Sequence, residues 1–335
     1  MKPKVFVTRG VVSKFAPDDF AVLEKECEVE VFPHERVIQK SELVEKVKGK
    51  QAVLYSIGDP FFDREIMDAG SELKIIASVG VGFGHIDIAA ATERKIMVAN
   101  TYSDYICWAV AEATWTLLFA VAKRLIEGEW DVRAGRFEGW RLQDYIGADV
   151  GGQCLGIIGL GRIGKKVAQS ARGWDMKILY HDIIDIDPKV EKELKVTRVS
   201  RETLLKEADF VSLHVPLTKE GPTKTYHLIG EKELALMRPT AYIINTCRGP
   251  VIEEEVLVRF LKEKRIAGAA LDVYEKEPEL AAGLSDLSNV VLAPHSASAT
   301  PKARKSYAAL GVQNLLAGIR GETPPNLVNV ELLNK

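Results

Sequence analysis

Short apolar runs alternate with longer amphipathic stretches along almost the whole chain. The apolar runs lie at 4–8, 28–32, 52–57, 74–79 and 96–99, and then at 154–159, 176–181, 196–199, 209–213, 241–245, 266–271 and 289–292. Runs of this length predict strands, and the stretches between them, for example 40–48 and 86–94, predict helices. Strands that alternate with helices are typical of parallel α/β sheets.

Two longer apolar stretches interrupt this alternation, at about 106–125 and 301–318, and both predict helices. They flank the second series of strands. We therefore expect a domain inserted within another domain, with these helices near the crossings and the C-terminal helix packed on the first domain. A chain of 335 residues is long enough for two such domains.

A glycine-rich turn follows the first strand of the inserted series. It reads Gly159-Leu160-Gly161-Arg162-Ile163-Gly164, and a helix-like stretch and a second strand come after it. This order is the dinucleotide-binding fingerprint in its required context. Gly159 permits a tight turn, Gly161 lets a pyrophosphate approach the backbone, and Gly164 allows the helix to pack closely. The helix N-terminus offers N–H groups and a positive dipole end to the phosphates.

Asp182 ends the second strand of this unit, close to 20 residues after the glycines. A carboxylate there accepts hydrogen bonds from both ribose hydroxyls and repels a 2′-phosphate, which favours NAD over NADP. The alternative is a helix-capping aspartate in an acidic loop.

Composition narrows the class of protein. The net charge of −2 argues against a general nucleic-acid binder. The four cysteines are widely spaced without a Cys-x-x-Cys pair, so neither a metal site nor a disulfide framework is expected. The first residues do not resemble a signal peptide, and no uninterrupted apolar stretch approaches ~18 residues. We expect a cytoplasmic protein without a membrane partner.

Ligands of doubly wound sheets bind beyond the carboxyl ends of the strands, and several candidate side chains lie there. Four histidines follow predicted strands or turns, and two lie in polar segments that we expect at the surface: His85, His181, His214 and His295, then His34 and His227. Arg248 follows the strand at 241–245, and Glu277 follows the strand at 266–271. Position alone does not choose among the histidines, and Arg248 and Glu277 could be ordinary capping or loop residues.

Five motifs in order resemble the D-isomer-specific 2-hydroxyacid dehydrogenase family, with the glyoxylate/hydroxypyruvate reductases as the most similar subgroup. They are the glycine turn at 159–164, His-Val-Pro-Leu-Thr at 214–218, Asn-Thr-Cys-Arg-Gly at 245–249, Leu-Asp-Val-Tyr-Glu-Lys-Glu-Pro at 271–278, and Ala-Pro-His at 293–295. The resemblance covers essentially the whole chain. It implies an NAD-binding Rossmann domain at residues 105–296, inserted in a flavodoxin-like substrate-binding domain at 1–104 and 297–335. Both domains would be doubly wound parallel sheets.

The resemblance also implies roles for individual residues. Arg248, Glu277 and His295 match the family's catalytic residues, and Val81 and Gly82 match the loop whose N–H groups hold the substrate carboxylate. Further positions match cofactor contacts: Leu160 to Ile163, Asp182, His214, Val215, Pro216, Thr246, Cys247, Asp272 and Ala297, with Arg248 and His295. Trp140 matches a residue that enters the pocket of a neighbouring subunit, so a homodimer is expected; its alternative is a plain interface aromatic.

The implied reaction is hydride exchange between NADH and a small 2-oxo acid. Arg248 would hold the carboxylate in a bidentate fork and polarise the ketone, and His295 would donate the proton. Glu277 would hold the other imidazole nitrogen and favour the imidazolium. No metal is expected.

Several departures from the family pattern bear on the substrate. The segment 100–108 has Tyr102 where proline is common, and Ser-Ala-Ser follows His295 where Ile-Gly-Ser is common. The segment 135–140 resembles phosphite dehydrogenases, but those carry a lysine at the position of Val81, and its absence disfavours phosphite. The alternatives that stay open are a dehydrogenase of another small anion, such as phosphite or formate, and an NAD-sensing corepressor. Turnover of 2-oxo acids with NADH separates them.

Overall fold

A computed structural model describes residues 2–334 of the chain. It contains twelve strands within this range: β1 Lys4–Val7, β2 Glu28–Val31, β3 Ala52–Ser56, β4 Ile75–Val79, β5 Met97–Ala99, β6 Cys154–Ile158, β7 Lys177–His181, β8 Val196–Arg198, β9 Phe210–Leu213, β10 Tyr242–Asn245, β11 Gly268–Leu271 and β12 Val290–Leu292. Each predicted strand is present, and its ends differ from the predicted ones by at most two residues. Buried apolar runs of this kind locate strands well because their side chains must leave water.

The α-helices are α1 Val11–Phe15, α2 Pro17–Glu26, α3 Lys40–Lys46, α4 Arg64–Ala69, α5 Ile88–Glu93, α6 Asp104–Ala122, α7 Leu125–Arg133, α8 Arg162–Ala171, α9 Pro188–Leu194, α10 Arg201–Glu207, α11 Glu231–Leu234, α12 Glu254–Lys262 and α13 Pro301–Arg320. Short 3₁₀ turns lie at Arg172–Trp174, Gly249–Val251, Leu284–Asp286 and Val330–Asn334. The predicted helix at 106–125 ends earlier than expected. Arg124 adopts a left-handed conformation with φ of 51°, and a separate helix, α7, begins after it.

The chain divides into two compact units. One consists of Met1–Ile106 and Ala299–Lys335, and the other of Cys107–Ser298. The roles of the two units, one for substrate and one for NAD, remain predictions.

The first unit is built on a five-stranded sheet in the order β2-β1-β3-β4-β5, with all neighbours parallel. This is the flavodoxin-like order. Helix α13 covers one face, where Ala308, Val312 and Leu315 pack with residues of β1, β3 and β4. Gly318 lets this helix approach closely, because a Cβ there would lie 2.5 Å from a methyl carbon of Ile75.

The second unit is built on a seven-stranded parallel sheet in the order β12-β11-β10-β9-β6-β7-β8. Counted from β6, this is the Rossmann order with one further strand at the edge. The direction of winding reverses between β6 and β9, and ligands bind outside the carboxyl ends at such a point. The predicted fold class, two doubly wound parallel sheets with a Rossmann domain, is confirmed.

Helix α6 is long and apolar enough to cross a membrane by length and composition alone. However, 67% of its most apolar window is buried within the fold. Ala111, Trp115, Leu118 and Val121 belong to the apolar cluster that also contains β6 and β7 side chains. This helix is accounted for as a core helix.

Candidate active site

Two positions of the glycine turn after β6 have no room for a side chain. Gly159 has φ of 94°, and a Cβ there would lie 2.5 Å from the carbonyl oxygen of His214. A Cβ at Gly164 would lie 2.2 Å from the carbonyl oxygen of Gly159. Both positions therefore require glycine: the first for its conformation, and both for the close approach of two backbones.

Gly161 differs from these two glycines because a Cβ there would meet no atom within 4 Å. It is the N-cap of α8, whose first residues are Arg162 and Ile163. Helix α8 thus presents its free N–H groups and positive dipole end beside an open stretch of backbone. This arrangement fits a dinucleotide pyrophosphate, and it lies at the switch point of the sheet.

Asp182 directly follows β7 on the same edge of the sheet. Its Oδ2 accepts the Leu160 N–H at 2.7 Å, and its Oδ1 accepts the Ile184 N–H at 2.9 Å. The carboxylate is therefore fixed against the glycine turn. The bonds with Ile184 and Leu160 give Asp182 a structural role in this turn. The same carboxylate is also suited to accept hydrogen bonds from a ribose diol.

His214 begins the segment His214-Val215-Pro216 after β9. Its backbone N–H donates to the Ile158 carbonyl oxygen at 2.8 Å, and its Nε2 is 2.8 Å from the Ser212 hydroxyl. Burial lowers the pKa of His214 to about 3. It therefore stays neutral near pH 7 and is excluded as a proton donor there.

The segment after β10 carries Thr246, Cys247 and Arg248, and Asn245 organises it. The Asn245 Nδ2 donates to the Arg248 carbonyl oxygen at 3.0 Å, and its Oδ1 accepts the Cys247 N–H at 3.0 Å. Thr246 is held by its hydroxyl, which is 2.9 Å from that of Thr114 on α6. A buried amide thus fixes the turn that presents the Arg248 guanidinium.

Gly249 brings this turn against the next loop of the sheet. A Cβ at Gly249 would lie 1.8 Å from the carbonyl oxygen of Tyr274, so only glycine fits. Because β10 and β11 are neighbours, the loops after them are adjacent. Arg248 is thereby held beside the loop that carries Glu277.

Glu277 and His295 form a hydrogen-bonded pair. The Glu277 Oε2 is 2.7 Å from the His295 Nδ1, and the Glu277 Oε1 accepts the Tyr274 N–H at 3.0 Å. A carboxylate partner makes Nδ1 the protonated nitrogen and leaves Nε2 for a second partner. The Nε2 of His295 makes no hydrogen bond with any atom of residues 2–334.

Burial and the neighbouring groups have opposite effects on the pKa of Glu277. Burial alone would raise the pKa of the Glu277 carboxyl. The bond with His295, the Tyr274 N–H and the nearby charges of His295 and Arg248 outweigh it, so the pKa lies below its ordinary value. Glu277 is therefore ionised near pH 7 and presents a charged acceptor to the His295 Nδ1.

Asp272 holds the loop around His295. Its Oδ1 accepts the Ser296 N–H at 2.7 Å and its Oδ2 accepts the Ala297 N–H at 2.9 Å. His295 itself has φ of 52°, an uncommon conformation that needs such support. Burial raises the pKa of Asp272 against these two bonds. In this structure the carboxylate of Asp272 positions His295, in addition to the cofactor contact expected of it.

Arg248, Glu277 and His295 thus follow three adjacent strands, β10, β11 and β12, at one edge of one sheet. The remaining predicted cofactor residues lie at the carboxyl ends of strands of the same sheet. Val81 and Gly82 belong to the other unit, where they follow β4, and Asn100 and Thr101 hold their backbone.

Other predicted residues have different surroundings. Trp140 is 83% exposed, in a segment with further exposed apolar side chains. His85 stacks on Tyr55, and its Nε2 is 2.9 Å from the Ser78 hydroxyl. The expectation that His227 lies at the surface is wrong in part. Its side chain is 29% exposed, and its Nε2 is 2.7 Å from the Glu275 Oε1.

Sequence reasoning missed the residues that hold the catalytic loops. Tyr274 contacts the loops after β10, β11 and β12. Its carbonyl oxygen lies against Gly249, and its N–H donates to Glu277. Its hydroxyl donates to the Ala293 carbonyl oxygen at 2.7 Å. Glu254 is buried and accepts the N–H groups of Glu275 and Ala281. The only signal for Glu254 was its place in the first turn of a predicted helix, which does not reveal such long-range partners.

Comparison with known proteins agrees with this geometry. Residues 115–297 match the D-isomer specific 2-hydroxyacid dehydrogenase, NAD binding domain. The chain is 45% identical to a glyoxylate reductase of Thermococcus gammatolerans, over 99% of this chain and 98% of that protein. The structure of a glyoxylate reductase from Paecilomyes thermophila superimposes with a TM-score of 0.87 at 31% identity, covering 98% of this chain and 99% of the other.

An NADPH-dependent glyoxylate/hydroxypyruvate reductase of Sinorhizobium meliloti is also similar. Its TM-score is 0.83 at 27% identity, and 98% of each chain is covered.

Proposed function

The chain belongs to the D-isomer-specific 2-hydroxyacid dehydrogenase family, and we propose that it reduces glyoxylate, hydroxypyruvate or another short 2-oxo acid with NADH to the D-2-hydroxy acid. The observation that carries this proposal is the Glu277–His295 pair, with Nε2 of His295 free for a substrate and Arg248 on the neighbouring strand end. The glyoxylate reductases among its relatives support the choice of substrate.

His295 acts as the proton donor in this proposal. Its Nδ1 is held by Glu277, so the proton that leaves is the one at Nε2. The ionised Glu277 holds the imidazole in the orientation from which Nε2 can give its proton to the ketone oxygen. In the reverse direction His295 must begin neutral, so oxidation should favour a higher pH than reduction.

Arg248 and the Val81–Gly82 backbone hold the substrate. The planar guanidinium binds a carboxylate in a bidentate fork and also polarises the adjacent carbonyl group. The N–H groups of Val81 and Gly82, in the other unit, match the family's loop for a substrate carboxylate, and we propose that role for them. Arg248 selects a 2-oxo acid over a simple ketone, because a neutral substrate would leave the guanidinium without its partner.

NADH is the cofactor that the residues fit. The residues that would hold it are the glycine turn, Asp182, the segments 214–216 and 246–247, Asp272 and Ala297. When bound, NADH supplies the hydride that the carbonyl carbon accepts. Asp182 discriminates against a 2′-phosphate by charge, unlike the site expected of an NADPH-dependent enzyme such as the Sinorhizobium meliloti relative.

A spectrophotometric screen of 2-oxo acids with NADH and with NADPH tests the proposal. We expect turnover of glyoxylate or hydroxypyruvate, and a higher kcat/KM with NADH. Asp182→Ala should narrow the gap between the two cofactors. Comparable kcat/KM with NADPH in the unmodified enzyme would refute the role of Asp182. Absence of turnover with every 2-oxo acid would favour a phosphite or formate dehydrogenase, or a non-enzymatic NAD-binding protein.

We further propose that the enzyme is a cytoplasmic homodimer that does not bind nucleic acid or membranes. Large apolar side chains are exposed on α7 and in the segment after it: Trp130, Phe137, Trp140, Leu142 and Ile146. A patch of this kind on a soluble chain indicates a protein interface. Two-fold symmetry is the commonest way to cover such a patch with a second copy.

Light scattering tests the dimer, and Trp140→Ala tests whether the interface reaches the substrate. We expect the variant to change the relative kcat/KM of glyoxylate and hydroxypyruvate while the Kd of NADH stays nearly constant. A fully active monomer would contradict both parts. An unchanged substrate profile would leave Trp140 as an interface residue.

A further inference from the structure

Two consecutive peptide groups in the Val81–Gly82 loop are fixed by the residues that follow β5. The Thr101 N–H donates to the Gly80 carbonyl oxygen at 2.9 Å, and the Asn100 Nδ2 donates to the Val81 carbonyl oxygen at 2.7 Å. The Gly80 N–H in turn donates to the Thr101 hydroxyl at 2.7 Å. The loop is therefore attached to the neighbouring strand end along its length.

This attachment sets the direction of two N–H groups. Both peptides are trans, and in a trans peptide the C=O and the N–H of the next residue point in opposite directions. With the carbonyls of Gly80 and Val81 turned toward Thr101 and Asn100, the N–H groups of Val81 and Gly82 point away from them. Neither N–H donates a hydrogen bond within residues 2–334. Consecutive N–H groups of this kind form an anion site.

The Asn100 backbone is itself held by two hydrogen bonds, and a third joins its two partners. The Asn314 Nδ2, on α13, donates to the Asn100 carbonyl oxygen at 2.7 Å. The Asn100 N–H donates to the Asn326 carbonyl oxygen at 3.2 Å, and the Asn326 N–H donates to the Asn314 Oδ1 at 3.0 Å. Asn314 is fully buried. A closed ring of amide groups thus fixes the backbone that carries the Asn100 side chain.

We infer that Asn100 is a positioning residue for substrate binding: its side-chain amide turns the Val81–Gly82 peptide so that the Gly82 N–H faces the carboxylate of the 2-oxo acid. The inference rests on the proposed function, in which this loop holds that carboxylate. The amide is suited to this task because it donates to Val81 without bringing a charge. The Thr101 N–H performs the same task for the Val81 N–H, but it is a backbone group, and only a change to proline, which also restricts φ, would remove it.

Asn100→Asp tests the inference, since it keeps the shape and replaces the donor by an acceptor. A carboxylate oxygen would face the Val81 carbonyl oxygen, so the peptide must turn away. We expect the KM for glyoxylate to rise by roughly tenfold or more, as the loss of a hydrogen bond to a charged group implies. The kcat and the Kd of NADH should change by less than about twofold, because His295 and the nucleotide residues are untouched.

A second variant and a control separate positioning from general damage. Asn100→Ser removes the donor without adding charge and should raise the KM for glyoxylate by a smaller factor; it decides the matter if Asn100→Asp does not fold. Asn289→Asp is the matched control, because the Asn289 Nδ2 also donates to backbone carbonyls, those of Ala267 and Leu261, in the other unit. It should lower the Tm without changing the KM for glyoxylate.

The outcomes distinguish this inference from the proposed function. If the unmodified enzyme reduces glyoxylate and both Asn100 variants keep its KM, the positioning role is wrong and the proposed function stands. A loss of kcat equal to the rise in KM, with NADH binding weakened as well, would also overturn it in favour of a structural role. If the unmodified enzyme reduces no 2-oxo acid, the proposed function itself fails.

Discussion

Two histidine–glutamate pairs lie in the second unit, Cys107–Ser298, and the two glutamates are neighbours in one loop. His295 pairs with Glu277 and His227 pairs with Glu275, each at 2.7 Å. Both histidines have a positive φ, 52° and 51°. In both pairs burial opposes ionisation of the glutamate, and hydrogen bonds with the histidine and a backbone N–H bring the pKa below its ordinary value. By charge and distance alone the pairs are nearly the same.

The pairs differ in which imidazole nitrogen the glutamate uses. Glu277 takes Nδ1 of His295, which leaves the outer nitrogen, Nε2, for a substrate. Glu275 takes Nε2 of His227, so the outer nitrogen is already occupied, and the ring lies flat on Tyr226 with centroids 4.0 Å apart. The first geometry leaves Nε2 to deliver a proton outward, whereas in the second Nε2 is already bound by the carboxylate.

The surroundings of the second pair give it a different task. The His227 N–H donates to the Pro250 carbonyl oxygen, and the Glu275 Oε2 accepts the Glu254 N–H at 3.1 Å. The His227–Glu275 pair therefore ties the turn after Arg248 to the loop that carries Glu277. A hydrogen-bonded histidine–carboxylate pair therefore does not by itself identify an acid catalyst. The available Nε2 of His295 and its place at a strand end are what distinguish it as the proposed proton donor.

The largest expected effect is the difference between the two histidines in turnover. His295→Asn should lower the kcat for glyoxylate reduction by ~100-fold or more, within the range for lost acid–base catalysis. His227→Asn should lower it by less than ~5-fold, because it only loosens the support of the loops. Steady-state kinetics of both variants, with NADH binding followed by fluorescence, measure this.

Similar losses of kcat in the two variants would break the comparison. If His295→Asn retained near-normal turnover, another group such as His85 would have to be the proton donor. NADH affinity should change little in either variant, which confirms that both remain folded.

Much of this architecture could be predicted from the sequence, because each strand is signalled by a short contiguous run of apolar residues. Buried apolar runs locate every strand, and contiguous spacing reveals the glycine turn. The proposed proton donor is different: four histidines were open by position, and only the family resemblance selected His295. Burial of His214 and the stacking of His85 on Tyr55 separate them physically, but these depend on contacts between distant segments. The His227–Glu275 pair joins residues 48 positions apart and left no local signal.

The second expected effect distinguishes the two glutamates by pH. Glu277→Gln removes the charged partner of the His295 Nδ1, so we expect the high-pH limit of reduction to move to lower pH. Glu275→Gln should leave this limit unchanged. The measurement is kcat/KM for glyoxylate between pH 5 and 9; an unshifted profile for Glu277→Gln would contradict the role of the carboxylate.

A smaller effect on kcat should come from Tyr274→Phe. This substitution removes a hydrogen bond to the loop that carries His295 and none to His227. Burial, with the charges of Asp272, Glu254 and Glu277, raises the pKa of Tyr274 to about 12, so its hydroxyl stays a donor to Ala293. Removing it should lower kcat by ~2- to 5-fold and the free energy of unfolding by about 1 kcal/mol.

Tyr180→Phe is the matched control for Tyr274→Phe. The Tyr180 hydroxyl is also buried and donates to a glutamate, Glu191, but far along the sheet from His295. It should lower the free energy of unfolding by a similar amount and leave kcat unchanged. Equal effects of the two substitutions on kcat would show that Tyr274 supports the fold in general and not His295 in particular.

The smallest expected effect is on stability and concerns Glu275. Its folded pKa lies below its ordinary value of 4.5, because the bonds with His227 and the Glu254 N–H outweigh burial. A group with a depressed pKa adds stability above its ordinary pKa and loses it as the pH falls through the folded value. Unmodified protein should therefore exceed Glu275→Gln in the free energy of unfolding by about 1 kcal/mol at pH 6, and the difference should shrink below pH ~4.5. Urea unfolding at several pH values measures it. A difference that grew on acidification would mean that the carboxyl is destabilised in the fold, and the His227–Glu275 pair would then not support the loop as inferred.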